Sequence, residues 1–271
     1  MPTKVKKLLD KGTNNPIVAR TTVQISDLMS AYPLSDDERQ SILSAFGSLM
    51  RRLLRMQELR DSLSKEYEKI RTQVREEGLT QLGEDAYEVP QIMGLDAQAE
   101  DFLQAAKLAL IDCGSLFEPL YAQTFDHRID LSIAWLEEEL GVEHEFVKRL
   151  RKHHDVWIKE LIDRRNALEH PRKRAKGKLH IENIDIDVAG AKLMGSDPSW
   201  HLTGDESSSI IEDTRILIEN ILRLAEEILV SSLGVRFPDT PVMAKEIPEH
   251  NRDVKAPVRF VLVPRGNILG A

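Results

Sequence analysis

A single cysteine, Cys113, is all that the 271 residues carry, so no intrachain disulfide can form and a reducing cytoplasm is the expected compartment. Cys113 falls inside an apolar stripe with nothing basic nearby to lower its pKa, which predicts a buried structural thiol rather than a nucleophile. Long apolar runs are also missing. None approaches the ~18 residues of a membrane span, and the basic N-terminus Met1-Pro2-Thr3-Lys4-Val5-Lys6-Lys7-Leu8-Leu9-Asp10 lacks the apolar core of a secretory signal. There is no Walker-type glycine loop, no G-x-S-x-G elbow, no zinc-binding cysteine pair and no H-E-x-x-H, so phosphoryl-transfer ATPases and the common hydrolases drop out. Consecutive helical residues turn about 100° apart, so His153-His154-Asp155 cannot aim three ligands at one ion, and His144 between Glu143 and Glu145 has the same fault. No metal or cofactor is expected. Aromatic residues make up 5% of the chain, and Trp135, Trp157 and Trp200 are spread through separate elements, as core or interface anchors rather than a base-stacking platform.

What is present is helical periodicity. The composition, 41% hydrophobic and 30% charged, is that of a helix-rich protein, and the length suits one large domain or two smaller ones. Residues 1–34 show no sustained period and carry Asn14-Asn15-Pro16, so they read as an irregular arm with a short helix near Val23–Tyr32. Ser35-Asp36-Asp37-Glu38 is a capping box. It opens a seam through Ile42, Phe46, Leu49, Leu53, Met56, Leu63, Tyr67, Ile70 and Val74, which predicts one long helix ending near Gly78 and packed along an antiparallel neighbour in preference to a coiled-coil dimer. After a loose boundary at 79–90, apolar positions predict helices over Asp96–Tyr121, Asp130–Leu140 and about Glu143–Leu168, the last stopped by Pro171. Ile184, Ile186 and Val188 then alternate with Asp185 and Asp187, which predicts a small β-hairpin returning through Trp200 and Leu202. Helical spacing resumes from about Asp205 to Leu233, with Gly234 as its stop. The tail holds Pro238, Pro241, Pro248, Pro257 and Pro264, and only Val258–Val263 reads as a strand, at an edge or exchanged.

The net charge of −8 argues against general nucleic-acid coating, but the charge is unevenly placed. Lys148 to Lys178 contains twelve cations against Asp155, Glu160, Asp163 and Glu169. Most such runs are a solvated helix face plus a basic loop; here the strip abuts Arg165-Asn166-Ala167-Leu168-Glu169-His170-Pro171, so a phosphate-binding role competes with that outcome. Arg165 and His170 are about 140° apart around a regular helix and about 7.5 Å apart along it. Pro171 pushes His170 out of the α region, letting its imidazole swing over the last turn towards Arg165, while Asn166, four residues before His170, can orient the ring. A guanidinium grips phosphate bidentately, and an imidazole with a pKa near ~6.5 moves protons at neutral pH. Together they suit cleavage of RNA by its own 2′-hydroxyl without a metal. On spacing alone the ordinary reading is preferred: Arg165 and Glu169 as a surface ion pair, with His170 as a cation at the helix C-terminus.

The motif Arg165-Asn166-x-x-x-His170, at the end of a long helix in a helical chain, resembles the signature of the HEPN superfamily, over roughly Asp96 to Gly234. The resemblance implies an all-α, HEPN-like helical bundle with a small β-hairpin insertion, preceded by a long N-terminal helix. The implied divisions are an arm and long helix over 1–90, the bundle over 91–234 and a Pro-rich tail over 235–271. It also implies a cytoplasmic, metal-independent endoribonuclease that cleaves single-stranded RNA by 2′-hydroxyl attack, of the kind found in phage-defence and toxin–antitoxin systems. Such domains pair as a homodimer to build a composite site, and an antitoxin or other partner protein is a natural companion. Carried over, Arg165 would hold the scissile phosphate, His170 would serve as general base or acid, and Asn166 would position the ring. Arg164 fits the permitted spacing without the polar follower and ranks as an auxiliary RNA contact, with Arg172, Lys173, Arg174, Lys176 and Lys178 as the RNA-binding strip. The alternative implied by other members is a non-catalytic module that binds RNA, a nucleotide or a partner protein.

Overall fold

A computed structural model of the chain describes residues 11–84, 86–169, 177–186 and 195–266. The protein is mostly helical, 62% helix and 11% strand, with small antiparallel sheets. In chain order the elements are α1 (Pro16–Val18), a π-helical turn (Ala19–Val23), α2 (Gln24–Ser30), α3 (Asp36–Glu77), β1 (Thr80–Gln81), β2 (Tyr87–Glu88), α4 (Leu95–Gly114), α5 (Phe117–Tyr121) and α6 (Ile129–Leu140). There follow α7 (Glu145–His153), a second π-helical turn (His154–Ile158), α8 (Lys159–Glu169), β3 (Leu179–Glu182), β4 (Asp185–Ile186), β5 (Gly195–Ser196), β6 (Ser199–Leu202) and β7 (Ser208–Ser209). The chain ends with α9 (Ile210–Arg236), β8 (Val242–Glu246), a 3-10 turn and β9 (Phe260–Pro264). Two compact units divide the chain: Met1–Arg51, Ile111–Gly141 and Leu222–Ala271 form one, and Arg52–Leu110 and Val142–Ile221 form the other.

In the first unit, the segment expected to be an irregular arm is helical from Pro16 to Ser30. Asn14-Asn15-Pro16 opens this helix instead of interrupting a strand or loop, because the Ile17 N–H donates to Asn15 Oδ1 at 2.9 Å and Pro16 needs no donor in the first turn. The capping box at α3 is formed as expected: Glu38 N–H donates to Ser35 Oγ at 3.2 Å and Ser35 N–H to Glu38 Oε2 at 2.6 Å. That backbone bond, with help from Arg236, holds the Glu38 carboxyl below its ordinary pKa. The helix expected over Asp96–Tyr121 is broken after Gly114. A Cβ at Gly114 would lie 2.3 Å from the His127 carbonyl oxygen, so the glycine permits a close backbone crossing that a side chain would block. Pro119 sits in the first turn of α5, where its missing N–H costs nothing. Cys113 is fully buried, and burial pushes its thiol pKa up, which keeps it inert. Nor does α9 stop at Gly234. That glycine keeps an ordinary helical φ, and the helix runs to Arg236, just before Phe237-Pro238.

A buried polar network joins α1–α2, α9 and the terminal hairpin in this unit. Glu226 of α9 is fully buried and accepts from Arg20 Nε at 2.8 Å and Nη2 at 2.6 Å, and from Gln24 Nε2 at 2.7 Å. Arg259 Nη1 reaches the same carboxylate at 3.3 Å, while its Nε donates to Glu246 at 2.9 Å. Gln24 Oε1 in turn accepts from the backbone N–H groups of Arg259 and Phe260. Burial works against the Arg259 charge, but Glu246, Glu226 and Glu227 outweigh it and raise its pKa. The tail strand β9 pairs antiparallel with β8, from Val242↔Pro264 to Glu246↔Phe260.

In the second unit, Leu53, Met56, Leu63, Ile70 and Val74 of the α3 seam are buried, with Phe102, Leu103 and Ala106 of α4 and Phe146, Val147, Leu150, Trp157, Ile158 and Leu161 of the α7–α8 rod. The hairpin starts earlier than the alternation of Ile184 and Ile186 predicts. β3 pairs with β6 in the register Leu179↔Leu202 and Ile181↔Trp200, and β7 completes a three-stranded sheet. Gly177 starts it at φ 106°, where a Cβ would meet Thr203 at 2.7 Å. Asn183 separates β3 from β4 by exchanging hydrogen bonds of 2.9 Å with the Ile92 backbone in both directions. Val188 lies outside the described residues. Among those described, no helix is long and apolar enough to cross a membrane.

Removing one member of a buried ion pair costs about 3–5 kcal/mol, whereas losing a helix cap costs about 1 kcal/mol. Arg20→Ala should therefore lower the urea-unfolding free energy several times more than Ser35→Ala. Equal, small losses would show that Glu226 is not dependent on its partners.

Candidate functional site

The motif helix is built from α7 and α8, joined through the π-helical turn at His154–Ile158, and its cap is His144, whose Nδ1 accepts from the Phe146 N–H at 3.2 Å. A π turn inserts an extra residue and re-aims the side chains beyond it. The two histidines where α7 meets this turn have separate partners: His153 Nδ1 accepts from Trp157 Nε1 at 2.9 Å, and His154 Nδ1 lies 2.9 Å from Asp155. Among the described residues no group of three or more potential ligands is placed to hold a metal ion.

Arg164 and Arg165 diverge. Successive helical side chains are about 100° apart, so the two cannot grip one phosphate from a regular helix. Arg164, expected from its spacing to be an auxiliary RNA contact, is only 7% exposed and is committed to the protein's own interior. Its Nη1 donates to Asp213 Oδ2 at 2.8 Å, its Nη2 contacts Ser208 Oγ at 3.0 Å and Glu160 at 2.5 Å, and the guanidinium lies 4.9 Å from the Trp200 ring centroid. Asp213 Oδ2 also accepts from Trp200 Nε1 and Ser208 Oγ, each at 2.6 Å. Burial raises the Asp213 pKa, but the bonds from Ser208, Trp200 and Arg164 outweigh it and leave the carboxyl below its ordinary value. Arg164 thus ties α8 to the sheet and to the start of α9. That tie also explains why α9 begins at Ile210 and not at Asp205: Ser208 is held in β7 by Asp213. A cleft of about 190 Å³ opens beside this cluster, lined by Val156, Trp157, Glu160, Arg164, Asp213 and Ile216 among others, and Arg165 is not in its wall.

Arg165 faces elsewhere. Its side chain is 12% exposed and forms an ion pair with Glu169, one turn on. Its Nε is buried with no acceptor, and burial disfavours its charge. Lys107 of α4 lies within electrostatic reach. Burial pushes the Lys107 pKa down, and the Arg165 charge pushes it further. Asn166 is half-buried beside Arg165. Lys178 is exposed, and its backbone N–H donates to Thr203 Oγ1 at 3.1 Å, which anchors the start of β3. His170, Arg172, Lys173, Arg174 and Lys176 lie outside the described residues.

Sequence reasoning passed over Lys107. The signal was available: it is the one cation within Ala105-Ala106-Lys107-Leu108-Ala109-Leu110, beside buried positions.

Comparison with known proteins finds no matching family model, no matching curated protein and no matching solved structure.

The Asp213 cluster makes stability depend on pH with a defined sign. A carboxyl whose folded pKa is depressed contributes stability that is complete above its unfolded value, about 3.9, and lost as pH falls through the lower folded value. The wild type should exceed Asp213→Asn in unfolding free energy near pH ~7, and the difference should shrink towards pH ~2, as measured by urea melts at both ends. A difference independent of pH would show that the Asp213 charge has no role in holding Arg164.

Proposed function

We propose that this chain is a HEPN-type, metal-independent endoribonuclease acting on single-stranded RNA in the cytoplasm. Arg165 serves as the phosphate clamp, His170 as the general acid or base and Asn166 as the positioning residue. One observation supports the reading before all others. Arg165 is a largely buried guanidinium in the last turn of α8 with a nitrogen that has no acceptor, and in sequence it precedes the basic run that starts at Arg172 by seven positions. A desolvated cation with spare donor capacity stabilises developing negative charge far better than a solvated one. Transfer of the 2′-hydroxyl proton to His170, attack of the 2′-oxygen on the phosphorus and breakage of the P–O5′ bond, with a proton supplied to the departing 5′-oxygen by an imidazolium or by water, would give a 2′,3′-cyclic phosphate and a free 5′-hydroxyl, with no external nucleophile needed in that step. A single Arg–His half-site supplies one clamp and one proton carrier, so we assign the complete site to a homodimer, in a defence or toxin–antitoxin setting where a partner protein restrains it.

A second reading is favoured by the Arg165–Glu169 ion pair, since a helix-end pair four residues apart is an ordinary stabilising device. On that reading the chain is a non-catalytic module that docks RNA or a nucleotide through the same surface.

Incubation of single-stranded RNA with the full chain in chelator decides between them. Wild type should cleave to cyclic-phosphate ends, and Arg165→Ala and His170→Ala should each lose about 10²–10³-fold in rate. RNA retained by the protein without cleavage selects the second reading. Cleavage undiminished in both variants removes the assignment.

A further inference from the structure

We propose that a cavity in the first unit binds a free basic amino acid, a ligand with one carboxylate and two ammonium groups. The cavity has a volume of about 520 Å³ and lies where the first two turns of α3, the end of α5 and the last turn of α9 meet, with Asp37, Glu38, Glu118, Tyr121 and Arg236 in its wall. That volume is in the range of small-molecule sites. All of these residues belong to one compact unit. None is part of the ribonuclease site, so the two readings stand or fall separately.

Three observations carry it. First, donors are left over. Arg236 donates from Nη2 to Glu38 Oε1 at 2.5 Å, but its Nη1 is buried without an acceptor. The hydroxyls of Tyr121 and of Ser232, one turn before Arg236, are close enough to act on one another yet outside hydrogen-bonding geometry, and both are buried without a partner. Burial pushes the Tyr121 pKa up, which keeps the phenol protonated and able to donate. Buried polar atoms are normally paired, so unpaired ones gathered beside a cavity mark a place where a further group belongs. A guanidinium edge and a phenol O–H call for an anionic acceptor, and a carboxylate supplies two oxygens. Second, acceptors are left over. The side chains of Asp37 and Glu118 are exposed at the cavity and make no hydrogen bond or ion pair among the described residues. Two unpaired carboxylates match two ammonium groups. Third, the wall holds three carboxylates, Asp37, Glu38 and Glu118, against the single guanidinium of Arg236. That excess of negative charge disfavours a plain anion and favours a ligand of net positive charge.

The rest of the wall suits the body of such a ligand. Pro119, Leu120 and the Tyr121 ring offer apolar surface to an aliphatic chain. The Arg236 and Glu38 side chains are 24% and 25% exposed, so the guanidinium can turn its unused edge to a ligand carboxylate by a side-chain rotation that leaves the α9 backbone in place. Arg236 is then shared between Glu38 and the ligand, while Asp37 and Glu118 take the two ammonium groups. An acid with one amine leaves a wall carboxylate unpaired, and a diamine without a carboxylate leaves the spare donors unmet.

Calorimetric titration of the full chain with L-lysine, L-norleucine and cadaverine at constant ionic strength tests this; the last two are lysine without its side-chain amine and without its carboxylate. L-lysine should bind roughly fivefold more tightly than norleucine, the effect of one exposed charge pair. It should bind about tenfold more tightly than cadaverine, which forfeits the charge-assisted bond to Arg236. Tyr121→Phe removes only a hydroxyl that has no partner, and it should weaken L-lysine about fivefold while leaving cadaverine unchanged. Glu118→Gln should reduce the preference for L-lysine over norleucine. Circular dichroism melts that match wild type establish that both variants are folded. No binding of L-lysine up to about 10 mM, equal affinity for the three probes, or an L-lysine affinity untouched by Tyr121→Phe or by Glu118→Gln overturns the proposal.

Discussion

The carboxylate of Glu226 is the point on which the first unit depends. A fully buried anion is tolerable only if the groups around it supply compensating charge and donors. Here Arg20 meets it through two nitrogens, Gln24 adds a third bond and Arg259 a fourth contact. Because those groups come from α1–α2, α9 and the terminal hairpin, neutralising one charge joins segments more than two hundred residues apart. Replacing such a cluster by apolar side chains can be as stable or more so, so the network is better understood as specifying which segments come together. Gln24 illustrates the specificity: its amide donates to Glu226 while its carbonyl oxygen accepts from the backbone of Arg259 and Phe260. A side chain with only one of those capacities would serve α9 or the hairpin but not both.

Much of the fold was legible where a pattern is local. The Ser35–Glu38 box and the α3 seam are written in residues a few positions apart, and α3 starts at Asp36 and ends at Glu77 accordingly. What could not be read is what depends on distant partners. The N-terminal segment looked irregular because its helix is amphipathic about a polar centre, Arg20 and Gln24, that makes sense only beside Glu226. A clue was present in α9, where Glu226 falls at a core position between Leu222 and Leu229, both buried. A charged residue on an apolar stripe predicts a partner without naming it. The break after Gly114 and the passage of α9 through Gly234 teach the complementary point. One glycine is needed for the approach of His127 and the other is not, and nothing in the two residues themselves separates these cases.

The candidate site was legible as a motif and not as an arrangement. Arg164 and Arg165 are adjacent cations of the same type, and the roughly 100° between successive helical positions sets their directions apart without saying which one meets buried partners. The structure separates them through the geometry of α8 and the π turn before it: one is locked under Trp200 and Asp213, the other is paired with Glu169 at the end of the helix. Position in the helix, and not residue type, decides which arginine retains unused donors. A basic strip counted by charge alone therefore overstates the number of cations a phosphate can meet.

The Arg165–Glu169 pair need not be chosen as either structural or functional. A pair four residues apart contributes about 0.3–0.5 kcal/mol where both side chains are solvent-exposed; here the Arg165 side chain is 12% exposed and that of Glu169 34%, so the carboxylate compensates a largely buried guanidinium from its more accessible side. A stronger internal partner, such as the Asp213 cluster that holds Arg164, would remove an arginine from chemistry altogether. The two neighbouring arginines thus show both outcomes of one electrostatic rule: a buried cation must be compensated, and the strength of its compensation determines whether it remains available.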